Sequence, residues 1–284
     1  MRSLAVAFVI AVVAACGGGK PVCRLPPELA TAPRDAPPFL WKATRDDGAT
    51  VWLYGTIHNG GRADVAEAAW RVLAASPGFA SELGDTEPDP DKMRAIAMVA
   101  GGKGIDQLLP ANDWYDLRDE LRGVVKEDVL RRARPWYAMT QLMSKVAPSP
   151  SPTMDFALAK AAREKKKTVD ALERWEEQLG ALDQTVKIAD LQQAIRARGT
   201  MGCDLASLLA TYRTGDLPAM ERRLIVEGTA QLLGPRNKLW LPRIAAYFDR
   251  GGGFVAVGLG HMIGEDGLPA LLARTGYKVE RIDR

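Results

Sequence analysis

The sequence predicts an α/β (α+β) fold, with a mixed central sheet drawn from the N- and C-terminal thirds and a large helical insertion between them. Three observations predict it. Two β-like runs, 39–44 and 50–57, stand near the start of the chain, and two more, 253–258 and 277–282, stand at its end. Between about 91 and 250 the apolar residues fall mostly three and four apart, which is the helical period. A helical stretch at 268–274 separates the last two runs, and strand, helix, strand with tight connections suggests a crossover unit.

The first residues bear on the compartment. Met1-Arg2-Ser3 supplies one positive charge, and residues 4–14 form an apolar run too short for a permanent membrane-spanning helix, so 1–15 reads as a signal peptide. Val13-Ala14-Ala15-Cys16 reads as a lipobox, with Cys16 as the lipidated first residue of the mature chain. Gly and Pro dominate 16–37, which reads as a flexible tether leading into a domain at 38–284. The expectation is an exported lipoprotein of the cell envelope, on the periplasmic face of a membrane and held there through its N-terminal lipid only. With Cys16 acylated, Cys23 and Cys203 remain, and two thiols in an oxidising space can pair as a disulfide. The formal charge of +3, with acidic and basic residues interspersed, gives no electrostatic footprint for nucleic acid. Oligomeric state is not legible.

Within the domain, Arg45-Asp46-Asp47-Gly48-Ala49 joins the first two runs as a hairpin. Residues 62–76 put Val65, Ala68, Ala69, Val72 and Leu73 on one helical face, and Phe79-Ala80-Ser81-Glu82-Leu83 follows as a strand. Helical periodicity occupies 91–100, 112–146, 154–166, 174–198, 203–229 and 236–250, interrupted by one β-like segment at 167–172. The charge run at 163–167 reads as a solvated helix end.

Histidine is the informative residue type because the chain has 2 of them. His58 ends Gly55-Thr56-Ile57-His58 and His261 ends Gly258-Leu259-Gly260-His261, each just beyond a strand expected to be buried. A glycine at a strand end lets the backbone turn sharply or lets a ligand come close, and side chains beyond strand ends point into the crevice where open α/β sheets bind ligands. A hydrolytic metal site needs two or three imidazole or carboxylate ligands plus an open position for water. Glu82, at another strand end, is the carboxylate that qualifies. Gly-x-Ser-x-Gly and His-Glu-x-x-His do not occur, and Gly101-Gly102-Lys103-Gly104 lacks the spacing of a phosphate-binding loop.

These residues carry a resemblance. Phe39-Leu40-Trp41-Lys42-Ala43-Thr44 and Val51-Trp52-Leu53-Tyr54-Gly55-Thr56-Ile57-His58 resemble the opening of TraB/PrgY/GumN proteins, which include the animal TIKI Wnt proteases. Phe254 through Gly264, Asp266-Gly267-Leu268 and Gly276-Tyr277-Lys278-Val279 resemble the closing motif. Asp155, Ala171-Leu172-Glu173, Glu177-Gln178 and Leu233 through Arg236-Asn237 to Trp240 look like the landmarks between, so the likeness covers roughly 38–282. It implies a metal-dependent, peptidase-like site with His58, His261 and Glu82 as ligands, Glu82 alternatively as general base, and Arg236 and Asn237 polarising a carbonyl or holding an oxyanion. Met154 and Arg174 depart from the pattern, which weakens any role for 154–174 and leaves the histidines untouched.

The first expectation is a metal-dependent hydrolase, most simply peptidase-like, acting on a peptide or small molecule. Its nitrogen and oxygen donors suit Mn, Co, Fe or Zn without selecting among them. The alternatives are a peptide- or haem-binding protein without chemistry and a metal-dependent esterase. A shared ion also demands that the strands leading to His58 and His261, more than 200 residues apart, be neighbours in the sheet.

Overall fold

The computed structural model describes residues 23, 36–84, 86, 88–225 and 229–283. The signal segment, Cys16 and most of the tether fall outside the described residues. The chain divides into two compact units: a sheet unit within 25–86, 149–174 and 207–284, and a helical unit of Cys23 with residues within 87–148 and 175–206. No helix among the described residues is long and apolar enough to cross a membrane.

In the sheet unit, β1 (Leu40–Thr44) and β2 (Thr50–Thr56) form the expected hairpin, closed by a turn in which Gly48 takes φ 87° and the Arg45 N–H donates to the Ala49 carbonyl. A positive φ there favours glycine. The sheet continues with β3 (Gly78–Ser81), β4 (Thr168–Ala171), β5 (Gly253–Gly258) and β6 (Lys278–Arg281), in the order β4-β3-β5-β2-β1-β6. Strands β4, β3, β5 and β2 run parallel, and β1 is antiparallel to both its neighbours. Phe254, Val255, Ala256 and Val257 of β5 are all fully buried, which is why that strand reads as an unbroken apolar run instead of an alternating one. β6, at the rim, alternates exposed Lys278 and Glu280 with half-buried neighbours, as an antiparallel edge does. The β2–β5 pairing sets Thr56 against Gly258, so the strands leading to the two histidines are adjacent, as a shared site requires.

Helices cover this sheet: α1 (Glu67–Ala75) before β3, and later α7 (Met154–Glu164), α10 (Leu217–Leu224), α11 (Thr229–Asp249) and α12 (Leu268–Arg274). Helix α7 packs on β3, β4 and β5 and against α1; α11 packs on β2 and β5, and α12 on β1 and β6. Phe39, Tyr54, Phe79, Trp240, Phe248 and Phe254 fill the core between them. Tyr212 reaches in to donate its hydroxyl to the Gly55 carbonyl at 2.7 Å, satisfying a buried acceptor.

The helical unit holds α2 (Pro90–Ala97), α3 (Ile105–Leu108), α4 (Ala111–Glu120), α5 (Glu127–Arg131), α6 (Pro135–Val146), α8 (Trp175–Thr185) and the first part of α9 (Ile188–Arg213). Its own core gathers Ile105, Trp114, Leu117, Leu121, Leu130, Leu142, Leu191 and Ile195. Buried Asp113 is matched there by Arg196 at 2.9 Å and Gln192 at 2.7 Å. Cys23 and Cys203 are joined in a disulfide with Cα atoms 5.1 Å apart.

Two helical stretches need correction. The stretch 112–146 is not one helical run: Gly123 takes φ 81° after α4, and Pro135 starts α6 at a position where its missing N–H costs nothing. Conversely, Gly199 and Gly202 do not break α9, because glycine in a helix weakens it without removing a hydrogen bond. Of the stretch 91–250, residues 149–174 and 207–250 fall within the sheet unit, where they supply its edge strand β4.

The disulfide closes a sequence separation of 180 residues. Replacing Cys203 with Ser is expected to destabilise the protein by up to about 5 kcal/mol in the chain-entropy limit, read from urea midpoints. In a chain beginning after Cys16, unfolded without reductant, thiol titration should find no free thiol; two free thiols would contradict the bridge.

Candidate functional site

Each of the four parallel strands delivers a polar side chain just past its C-terminal end. His58 stands two residues after β2, Glu82 one after β3, Glu173 two after β4, and His261 in the 3-10 turn Leu259–Met262 that follows β5. Because the strands are parallel and adjacent, these ends lie along one edge of the sheet, where the strand carboxyl ends form a crevice. The ladder continues past β4, with Leu172 N–H donating to Ser81 O and Glu173 N–H to Glu82 O, which sets the two glutamates side by side.

A buried charge network joins them. Glu82 Oε1 accepts the Gly258 N–H at 3.0 Å, and its Oε2 accepts Arg236 Nη2 at 2.9 Å. Arg236 also donates to both oxygens of Glu173, at 2.5 and 3.0 Å, and its guanidinium lies over the Trp240 ring. Trp240 Nε1 adds a bond to Glu173 at 3.3 Å. Burial pushes the Glu173 carboxyl up, with Arg236 pulling against it. For Glu82 burial also opposes ionisation, but the two imidazoles, Arg236 and the Gly258 amide outweigh it and hold the carboxyl below the ordinary carboxylate range. Glu82 follows an interior strand, between β4 and β5, and is not the water-facing glutamate of a sheet edge.

His261 is 3% exposed and packed against Trp240, the rings tilted by 32° with centroids 4.4 Å apart. Burial drives its pKa down to about 3, so the ring is neutral at physiological pH. Its tautomer follows from Asn237. The Asn237 Nδ2 donates to the carbonyls of His261 and Asp266, which can only accept, so the Oδ1 atom 2.6 Å from His261 Nδ1 must be an acceptor. Nδ1 therefore carries the proton, and Nε2 presents a lone pair toward Glu82 Oε1 at 3.8 Å. Asn237, expected from the resemblance to polarise a carbonyl or hold an oxyanion, has both ends of its amide engaged in these bonds. Arg236, expected in the same role, has Nε and Nη2 occupied by the two glutamates.

His58 is the open member, its side chain 80% exposed. Its Nδ1 lies 3.8 Å from Asp155 Oδ2, and the other Asp155 oxygen accepts the Thr56 hydroxyl at 2.7 Å. Asp155 stands in the first turn of α7, whose N-cap is Thr153, and burial pushes its carboxyl up. Asp155 and Glu173 lie in the region whose role the departures at Met154 and Arg174 weaken. Met154 is fully buried in the core, so that departure concerns packing and says nothing of its neighbour. For Glu173 the missed signal was a carboxylate at the end of the β-like run 167–172, the strand-end placement by which Glu82 was chosen.

Among the described residues, no three His, Cys, Asp or Glu form a ready-made metal-binding group. The donor types nevertheless suit a divalent cation. Two ligands bonding one ion at about 2.0–2.2 Å lie up to about 4 Å apart, and Glu82 Oε1 and His261 Nε2 meet that at 3.8 Å. The three chosen side chains also share one space: a Cβ built on Gly258 would stand 3.4 Å from Glu82 Oε1, 3.8 Å from His58 Nε2 and 3.9 Å from His261 Cδ2. They face a common point without being closed around it.

Replacing Arg236 with Met would leave two buried carboxylates without their cation. Breaking a buried pair in this way is expected to cost about 3–5 kcal/mol, measured by urea unfolding. Adding Glu173→Gln to that variant should recover part of the loss, and strict additivity of the two changes would refute the coupling.

Comparison with known proteins follows the same boundaries. The chain is similar to a zebrafish (Danio rerio) protein named Metalloprotease TIKI2, 25% identical over 87% of this chain and 61% of that protein, so it spans about three-fifths of the relative's length. No solved structure matches. A match to the TraB/PrgY/gumN family extends over residues 39–281, from the residue before β1 to the last residue of β6, and includes all the site residues described above. The chain therefore belongs to the TraB/PrgY/gumN family.

Proposed function

We propose that this protein is a metal-dependent hydrolase acting on peptide bonds. The observation that carries the reading is a neutral His261, held by Asn237 in the tautomer that offers Nε2, facing an ionised Glu82 at the ends of parallel strands. His58, His261 and Glu82 would hold a divalent cation, which when bound lowers the pKa of water and polarises a carbonyl. The cation is one that accepts nitrogen and oxygen donors, such as Mn, Co, Fe or Zn.

The chain's own residues have distinct parts in this reading. Arg236 keeps Glu82 ionised and fixes one of its oxygens, while the other, aimed by the Gly258 N–H toward His261, would bind or accept a proton with its remaining lone pair. Asn237 fixes the ring of His261, and Asp155 stands behind the outer nitrogen of His58, the placement of groups that orient ligating histidines. The exposure of His58 leaves the site approachable from solvent. Support for peptide as substrate comes from the relative named as a metalloprotease.

The same proposal places the protein outside the cytoplasm, anchored by lipid on Cys16. The Cys23–Cys203 bridge supports an oxidising compartment. Intact-mass analysis of membrane-extracted protein should show residues 1–15 missing and fatty acyl mass added; mature protein beginning elsewhere without lipid would sink the anchor.

Protein purified without a metal-binding tag should contain a stoichiometric divalent metal and cleave members of a mixed peptide library, with cleavage lost on chelation. His261→Ala and Glu82→Gln should each reduce cleavage by at least about 100-fold. Peptide binding without cleavage in the metal-loaded protein would instead favour a sequestering role, and cleavage unaffected by chelation and by both substitutions would reject this site.

A further inference from the structure

The two Gly-x-x-His glycines look alike in sequence but meet different surroundings. A Cβ on Gly55 would stand 2.6 Å from Leu259 Cδ1 and 3.2 Å from Leu259 Cα, so glycine is needed there for close packing against the turn after β5. Gly258 has no such neighbour. Its backbone lies at φ −51°, ψ 136°, a conformation open to any L-residue, so it is not glycine for conformational reasons either. The three nearest atoms to its absent Cβ are Glu82 Oε1, His58 Nε2 and His261 Cδ2, all at ordinary van der Waals separation. Alanine would fit the fold, and its methyl group would occupy the space that the three functional side chains share.

We infer that Gly258 is the floor of the reactive space, a positioning residue whose missing side chain leaves room for the cation between His58, His261 and Glu82. The inference rests on the metal-dependent reading above and adds where the ion sits. Gly258 has a second part in the same arrangement, because its N–H holds Glu82 Oε1 at 3.0 Å and so aims that oxygen over the floor. Substituting Ala keeps that N–H and its backbone geometry. What changes is the space alone.

The test compares wild type and Gly258→Ala by calorimetric titration with manganese(II), alongside urea unfolding. The variant should unfold at the wild-type midpoint or slightly above it, since replacing glycine restricts the unfolded chain. Its manganese affinity should fall by about 10- to 100-fold, the range seen when groups around a metal site are altered. Gly55→Ala should behave oppositely, losing stability through its clash with Leu259. Wild type and Gly258→Ala binding manganese equally well would overturn the floor and leave the metal-dependent reading standing. Wild type that binds no divalent metal would overturn both. Should Gly258→Ala fail to fold, amide NMR of wild type with substoichiometric manganese(II) decides. The Gly258 resonance should be among the first broadened, and its survival while other sites broaden would place the ion elsewhere.

Discussion

The parallel pairing of β2 with β5 is the constraint on which the site depends. It aligns Thr56 with Gly258, so that chain segments from opposite ends of the sequence leave the sheet at the same level, one toward His58 and the other into the turn bearing His261. Side chains alternate faces along a strand and both faces of this pair are packed, so a slip of one residue would set Tyr54 and Phe254 into places shaped for smaller neighbours, and close packing therefore protects the alignment. The Tyr212 hydroxyl on the Gly55 carbonyl and the close packing of Leu259 on Gly55 hold the same point from two further directions. The geometry of the candidate site is a by-product of hydrophobic register, with β3 and β4 extending the same edge to Glu82 and Glu173.

The buried charges at that edge have a different energetic character. Taking Glu82, Arg236 and Glu173 out of water costs more than the mutual attraction of exposed ions would return, and apolar residues of the same volume could fill the space. What the network supplies is direction. Arg236 is shared by two carboxylates and stacked on Trp240, so its position is determined by three contacts at once. Glu82 in turn has one oxygen fixed by Arg236 and the other by the Gly258 amide. A carboxylate held at both oxygens cannot swing to meet a ligand, so the ligand must come to it, which is the arrangement expected of a preorganised site.

Much of this was legible in the sequence, and what was not has identifiable causes. The strands at 39–44, 50–57 and 253–258 announce themselves because parallel and central strands bury both faces and read as apolar runs. Glycine and histidine at strand ends are local signals, so the edge bearing His58 and His261 could be anticipated. Asn237 was marked by the resemblance, but its task was not, because only the fold brings the His261 and Asp266 carbonyls to its amide nitrogen. Asp155 could not be read as a partner of His58 either, since a first-turn aspartate after a threonine cap has a sufficient local explanation. The division of the helical stretch into two units left no trace for a similar reason: helical periodicity reports which face is buried, not against what.

The two histidines finally differ in a way that composition cannot show. His261 is sealed under Trp240 with its proton assigned and its charge suppressed by burial, so its lone pair is fixed as the chain folds. His58 faces solvent and meets Asp155 only at 3.8 Å, longer than a hydrogen bond. The desolvation cost of the inner half of the site is thus met by folding, while that of the outer half is deferred until something binds. A ligand completing the site would gain its specificity from the inner residues, which cannot adapt, and its entry from the outer histidine, which stands where solvent arrives.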